Sequence, residues 1–364
     1  MDSLRAVPLG LLGQRTEHSI ACLTCRLAVW ECDGHRCLRP SRGRTTLNRR
    51  GSLIAVVVSA ACFGTLAVLT PLAYAAGAEP LPLLAWRFLF AAALLAGLVA
   101  LRNPRDLRVP AGDLGRYATL ALTGYGAASI CFFFALKFSD ASVVAVLLYA
   151  YPALVTIASW VFLGEKATWQ RGLAVVVTFT GCALVVGVLG GPVKVSVPGV
   201  VLGLGAAVGY TLFNLLSDRW LPGRSQLVMM GYTFGIAAIG AAVVSIAFAL
   251  VESGRTAGST HRIAAAVASL SPAAWQPQAW VLLGAIVLVP TFLAVVLYLQ
   301  GIRGLGPSQA AVISTLEPLF TIVLAGLVLH ERLAPVQWLG AMLVLGGVVF
   351  AETSARRIEQ PAAF

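Results

Sequence analysis

Charge is scarce in this chain: Asp, Glu, Lys and Arg make up 11% of its 364 residues, against roughly 25% in a soluble domain. Lysine is almost absent, with three copies beside 23 arginines, a bias assigned to coding rather than chemistry. Histidine occurs four times, and no H-E-x-x-H, G-x-S-x-G or G-x-x-x-x-G-K-[ST] run is present. Zinc hydrolysis, a serine nucleophile and an ATP-driven motor therefore lack their sequence basis. The basic first 50 residues are followed by no short apolar segment with a small-residue cleavage site, which excludes a signal peptide. The chain reads as neither a soluble domain nor an enzyme, and no cofactor is expected.

What is present is apolar. Hydrophobic residues reach 59%, and the mean hydropathy is +0.86. Ten stretches come near the ~20 residues a helix needs to cross hydrocarbon: 52–76, 81–101, 115–137, 141–163, 169–189, 199–218, 226–250, 279–300, 307–329 and 335–352. Turn residues such as Asn103-Pro104, Gly190-Gly191-Pro192 and Leu221-Pro222-Gly223 separate them. The expected fold class is an all-α polytopic membrane protein with ten transmembrane helices.

The chain also repeats itself. Sliding it by 166 positions lays Ala141-Ser142 on Pro307-Ser308, Tyr151-Pro152 on Glu317-Pro318, and Leu163-Gly164-Glu165-Lys166 on Leu329-His330-Glu331-Arg332. Each unit holds five spans, and an odd number turns the second copy upside down in the bilayer. Inverted repeats of this kind build alternating-access carriers. The organisation expected is a disordered basic cytoplasmic leader (1–50), a first repeat (51–190), a second repeat (197–353) and a short cytoplasmic tail (354–364). A translation start nearer residues 45–50 would account for the leader equally well.

The net charge of +11 would suggest a nucleic-acid partner in a soluble protein. Here it is one-sided. With the amino terminus inside, the cytoplasmic segments carry eleven basic residues besides nine leader arginines, 20 in all, and the outer segments carry five. Both termini are thus expected in the cytoplasm. The partners implied are lipid and a small solute, not nucleic acid.

The paired motifs resemble those of the drug/metabolite transporter superfamily, in its ten-helix members built from two EamA domains. The carrying residues are Asp140-Ala141-Ser142, Tyr149-Ala150-Tyr151-Pro152 and Leu163-Gly164-Glu165-Lys166 with Trp169 and Gly172. Their repeats are Pro307-Ser308, Leu316-Glu317-Pro318 and His330-Glu331-Arg332 with Trp338 and Gly340. The resemblance spans about 50–352, and His330 departs from it where the first copy has Gly164. It implies two inverted five-helix repeats around a central cavity, lined largely by the third, fourth, eighth and ninth helices. It implies a secondary transporter of small organic metabolites such as amino acids or drugs in the cytoplasmic membrane, an exporter in many members. The alternative is a non-transporting receptor or scaffold that keeps the fold.

Candidate functional residues stand out by polarity. Glu317 is the one carboxylate near the middle of a span, where a charge costs about 2.5–3.5 kcal/mol on insertion scales and so faces a cavity or partner. It either binds substrate or a proton, or caps groups freed by Pro318. Arg87 lies some six residues into the second span and either snorkels outward or pairs with Glu317 or a substrate carboxylate. Pro152 and Pro318 sit at equivalent points and break one helix hydrogen bond each, which predicts paired kinks. Tyr149, Tyr151, Asn214 and Gln300 are the preferred polar wall of a pocket.

Three further features have plainer readings. Gly199, Gly203, Gly205 and Gly209 form a small-residue seam, for packing within the chain first and for a homodimer second. Glu165-Lys166 and Glu331-Arg332 read as interfacial charges closing their helices, with a gating role as the sharper alternative. Cys22, Cys25, Cys32 and Cys37 are weak zinc candidates, because C-x2-C-x6-C-x4-C lacks the second close pair of a zinc ribbon.

Overall fold

The computed structural model describes residues 31–33, 36–38, 48–162, 168–186, 194–220, 225–253, 268 and 270–359. The chain divides into two units, Met1–Thr45 and Thr46–Phe364. In the first, β1 (Glu31–Asp33) pairs antiparallel with β2 (Arg36–Leu38), and Cys32 stands opposite Cys37 in the register. Cys22 and Cys25 lie outside the described residues, as do Glu165 and Lys166.

The second unit is helical. Among the described residues, nine helices are long and apolar enough to cross a membrane. They are α1 (Arg49–Ala75), α2 (Pro80–Arg102), α3 (Ala111–Phe138), α4 (Ala141–Phe162), α5 (Trp169–Val186), α6 (Val197–Trp220), α7 (Gln226–Val251), α8 (Pro277–Leu305) and α9 (Gln309–Leu329). The expected tenth span, α10 (Pro335–Glu359), is a helix whose apolar part, Pro335–Phe350, is shorter than the others.

The helix ends follow from local chemistry. The Asn48 side chain accepts from Gly51 N at 2.7 Å and caps α1. Pro80 and Pro277 open α2 and α8, where a missing N–H costs nothing. Gly306, at φ 83°, turns the chain from α8 into α9. His330 ends α9 in the left-handed region at φ 58°. That conformation is one a non-glycine residue rarely adopts.

The packing obeys the duplication. α5 lies along α10, α2 along α7, α3 along α6 and α1 along α8, while the first half of α4 meets the second half of α9. Exchanging the two repeats maps α1–α8 onto α6–α3 and maps α5–α10 and α2–α7 onto themselves, while the α4–α9 contact pairs unlike halves and departs from the symmetry. The bundle therefore has the internal two-fold pattern of inverted repeats. Small residues permit the close approaches: a Cβ built on Gly181 would lie 2.6 Å from Gly340 O, and one on Gly340 would lie 2.7 Å from Gly181 O. The α6 seam is likewise filled from within the chain, with Gly203 against Leu147, Gly205 against Cys131 and Gly209 against Ala128. Apolar side chains such as Ile54, Phe248 and Val281 point outward, as lipid requires.

Several helices are interrupted. α1 breaks at Thr65, between Arg49–Gly64 and Leu66–Ala75. α4 breaks between Ala141–Leu148 and Tyr151–Phe162, and α9 between Pro307–Ser314 and Glu317–Leu324. At these two breaks the ladder tightens in the same way. Tyr149 N and Ala150 N donate three residues back, at 3.0 and 3.1 Å, as Thr315 N and Leu316 N do at 3.3 and 3.1 Å. α3 and α8 instead widen into π-helical stretches at Leu120–Tyr125 and Val287–Leu293, again at matching places.

Candidate functional site

The breaks surround a cavity of about 340 Å³, at the small end of the ~300–1,000 Å³ common for small-molecule sites. Its wall draws on α1, α2, α3, α4, α6, α7, α8 and α9, and its charged members are Arg87, Asp218 and Glu317. Asp218, exposed near the end of α6, and Gln226, at the start of α7, stand at one extremity of the lining. Arg87, Phe132 and Phe133 stand at the other, midway through the bundle.

Beyond Arg87, among the described residues, the outer ends of the helices contribute nothing to the lining. At that end the Glu331 carboxylate leaves α9 and caps the start of α4, accepting from Ala141 N at 2.8 Å, Ser142 N at 3.0 Å and Ser142 Oγ at 2.6 Å. Negative charge belongs at a helix N-terminus, so the contact is favourable as well as geometric. Around it the Asp140 carboxylate accepts from Lys194 N at 2.7 Å, and Lys137 pairs with Glu79 at 3.0 Å on the surface. The Tyr74 hydroxyl donates to Phe133 O at 2.9 Å, tying α1 to α3 just below. Glu331 thus holds an inter-repeat cap just past the end of α9.

Glu317 opens the second half of α9, half-buried on the cavity wall. The Tyr149 hydroxyl lies 2.9 Å from Glu317 Oε2 and 3.0 Å from Ser314 O. Ser314 O is the carbonyl that residue 318 would engage in an unbroken helix. Proline there has no N–H to give, so a side chain from the other repeat takes its place. α1 completes this corner: Thr321 Oγ1 donates to Gly64 O at 3.2 Å, and a Cβ on Gly64 would come within 3.1 Å of Glu317 O. The broken segments of α1, α4 and α9 therefore pack on one another around the carboxylate.

Arg87 does not snorkel. It is 1% exposed, its Nε donates to Thr291 Oγ1 at 2.8 Å, and its guanidinium sits over the rings of Phe88 and Phe133 at 5.0 and 5.3 Å. Thr291 in turn donates to Ile286 O at 2.8 Å, five residues back, the spacing that the π-helical stretch at Pro290 creates. Tyr125 adjoins the guanidinium and lies near enough to interact electrostatically with both Arg87 and Glu317. Among the described residues Arg87 forms no ion pair. Ring faces contribute about 0.5–2 kcal/mol, short of the several kcal/mol that burying an ion costs.

Aromatic rings join these two charges. Tyr151 meets Tyr210 edge-on at 4.8 Å and Tyr149 at 5.9 Å, and Tyr125 stacks among Phe88, Phe213 and Phe234 at 5.4–5.9 Å. Of the residues expected from sequence, Glu317, Arg87, Tyr149, Tyr151 and Asn214 share this cavity, with Asn214 Nδ2 donating to Tyr210 O at 2.7 Å. Gln300 is partly buried away from the lining, where Tyr298 stands instead. Pro152 and Pro318 lie behind the wall at the helix breaks. Sequence reasoning missed Tyr125 and Thr291. The repeat offset of 166 maps one onto the other, and they flank Arg87 from opposite repeats.

The fold and site can be set beside known proteins. Residues 50–187 and 197–353 each match the EamA-like transporter family. The uncharacterized transporter YwfM of Bacillus subtilis (strain 168) is 25% identical over 324 residues, 85% of this chain and 96% of that protein. The uncharacterized transporter YcbK of the same organism is 26% identical over 302 residues, 82% of this chain and 91% of its own. One solved crystal structure superposes with a TM-score of 0.58 at 19% identity, covering 86% of this chain and 100% of its own length.

Proposed function

The chain belongs to the EamA-like transporter family, and from that premise we propose that it is a secondary transporter exporting small organic metabolites, such as amino acids or drugs, by alternating access. The observation that carries the proposal is a cavity between the repeats, lined out to the α6–α7 end of the bundle and capped beyond its other end by Glu331, with a carboxylate and a guanidinium in its wall. A carrier of this design needs a central site whose two barriers open in turn. With no phosphate-binding loop in the chain, a solute or ion gradient supplies the drive.

The positive-inside bias sets both termini in the cytoplasm of a cell that holds the chain in its cytoplasmic membrane. In that orientation the α6–α7 end of the cavity faces the cytoplasm, the state in which an exporter takes up its load. Glu317, Tyr149, Tyr151, Asn214 and Arg87 form the substrate wall, and Pro152 and Pro318 let α4 and α9 bend about it.

Counterflow in proteoliposomes tests the reading. Labelled amino acids, nucleosides and cationic drugs are expected to include one that moves saturably, with flux lost in Glu317→Gln. Saturable flux that survives the substitution would return Glu317 to a structural role. Tight binding without flux would turn the reading to a receptor with a transporter's fold.

A further inference from the structure

Arg87 has a counterpart in the second repeat that the cavity does not use. Sliding the chain by 146 rather than 166 positions lays Leu83-Leu84-Ala85-Trp86-Arg87-Phe88 on Met229-Met230-Gly231-Tyr232-Thr233-Phe234. The offset is smaller here because the connection from α7 to α8 is longer than that from α2 to α3. The fold agrees with the match. α2 packs along α7, and Phe88 stacks on its own equivalent, Phe234, with ring centroids 5.4 Å apart. Thr233 is therefore the repeat equivalent of Arg87, as Thr291 is of Tyr125.

These equivalents are not treated equally. Arg87 donates through Nε to Thr291 of the other repeat, and its guanidinium also hydrogen-bonds the Tyr125 hydroxyl. The exchanged inter-repeat bond, between Thr233 and Tyr125, is not made. Thr233 is 0% exposed and its hydroxyl has no hydrogen-bond partner. Other threonines of the bundle settle that demand within their own helix: Thr156 Oγ1 donates to Pro152 O at 2.9 Å, and Thr211 Oγ1 to Ala207 O at 2.8 Å. A buried hydroxyl left unpaired is destabilising and rare in native structures. Valine would fill the same space without that penalty, so packing does not account for Thr233. Nor does contact with solute, because Thr233 is absent from the cavity lining.

The inverted repeats supply a role. In a carrier of this design the two access states are related by exchanging the conformations of the two halves. That exchange turns the bond from Arg87 to Thr291 into one between Thr233 and Tyr125. We infer, on the footing of the transport reading, that Thr233 is the positioning residue whose hydroxyl receives Tyr125 in the opposite access state. Each state is then held by one inter-repeat bond of the same construction. Tyr125 already neighbours α7, its ring 5.4 Å from that of Phe234, so the new partner lies beside the helix it leaves.

The test reads which face the cavity opens to, using the full-length protein in proteoliposomes. A single Ser129→Cys probe on the cavity wall, in a cysteine-free background, is labelled with impermeant thiol reagents from each side. Thr233→Val keeps the shape and removes the hydroxyl. Labelling from the Glu331 side is expected to fall about three- to tenfold, the shift one hydrogen bond gives a two-state equilibrium. Thermal stability in detergent is expected to stay equal or rise, because the state seen here loses only an unpaired group. Thr233→Ser, which keeps the hydroxyl, should label as the parent does. In a Tyr125→Phe background, Thr233→Val should change nothing further, because the partner is already gone.

A fall that persists in the Tyr125→Phe background would give Thr233 a different partner and overturn the exchange. Lower thermal stability with labelling unchanged would make the hydroxyl structural and overturn it as well. Counterflow of labelled amino acids, nucleosides and cationic drugs runs alongside. A parent protein labelled from the α6–α7 side alone and moving no solute would overturn the transport reading and this inference with it. Saturable flux and labelling that are both the same in parent and Thr233→Val would overturn the exchange and leave the transporter standing.

Discussion

A single hydroxyl on Tyr149 serves two acceptors from the opposite repeat, the Glu317 carboxylate and the carbonyl that Pro318 leaves free. Tyr149→Phe removes that donor and keeps the ring. A hydrogen bond to a charged group contributes about 1.5–3 kcal/mol, so the variant should unfold several degrees lower and transport at least tenfold more slowly. Thermal unfolding and counterflow read the two effects, and unchanged flux would remove the hydroxyl from the mechanism. At this scale the sequence exposes charges well, because Glu317 and Arg87 are conspicuous within apolar runs. It exposes neutral members poorly. Tyr125 looks like any aromatic residue of a span until the offset sets it against Thr291. Gln300 announces its polarity and not its angular position, and the widened turn in α8 shifts the helix phase that would otherwise give it.

The helices of this bundle are defined as much by their interruptions as by their lengths. α4 and α9 break at the same repeat position, so the two prolines and the tightened turns before them are one device used twice. Pro318→Ala restores a donor that competes with Tyr149 for Ser314 O. It should leave thermal stability equal or higher, because an added ladder bond closes the break, and cut flux about tenfold or more, because the bend is lost. Gly340 has the opposite sensitivity, because a side chain there must enter the backbone of α5. Gly340→Leu should destabilise the fold by about 1–3 kcal/mol through overpacking, whereas Gly97→Ala, with open space around it, should be neutral or stabilising. Chemical denaturation of both variants makes the comparison. Span limits were readable within a few residues, as α7 and the start of α4 demonstrate: 226–250 and a start at 141 were expected, and Gln226–Val251 and a start at Ala141 are found. α3 starts earlier than expected, at Ala111, because Pro110 admits a polar first turn that hydropathy alone discounts. The π-helical stretches left no trace in composition, since they change hydrogen-bond spacing and not hydrophobicity.

For the molecule as a whole, the Glu331 cap joins the two repeats beyond the Arg87 end of the cavity. Glu331→Ala should weaken that joint. In a cysteine-free background, a Ser129→Cys probe on the cavity wall should then react faster with impermeant thiol reagents from the Glu331 side and more slowly from the α6–α7 side. Equal labelling in both backgrounds would make the cap purely structural. On the proposed alternating-access reading, which face is closed is not legible in the sequence, because one sequence would encode both states and states only a few kcal/mol apart exchange readily. The duplication was legible, and its packing has a further consequence. α1 rests on α8 of the other repeat, and α3 rests on α6. The five-helix halves are therefore interlocked rather than adjacent, and residues 46–364 form one compact unit. A chain severed between α5 and α6 would yield two fragments, each missing the helices its own α1 and α3, or α6 and α8, lean against. Neither should persist alone in a membrane, while the pair made together should reassemble, as the two strands of a rope hold only when laid.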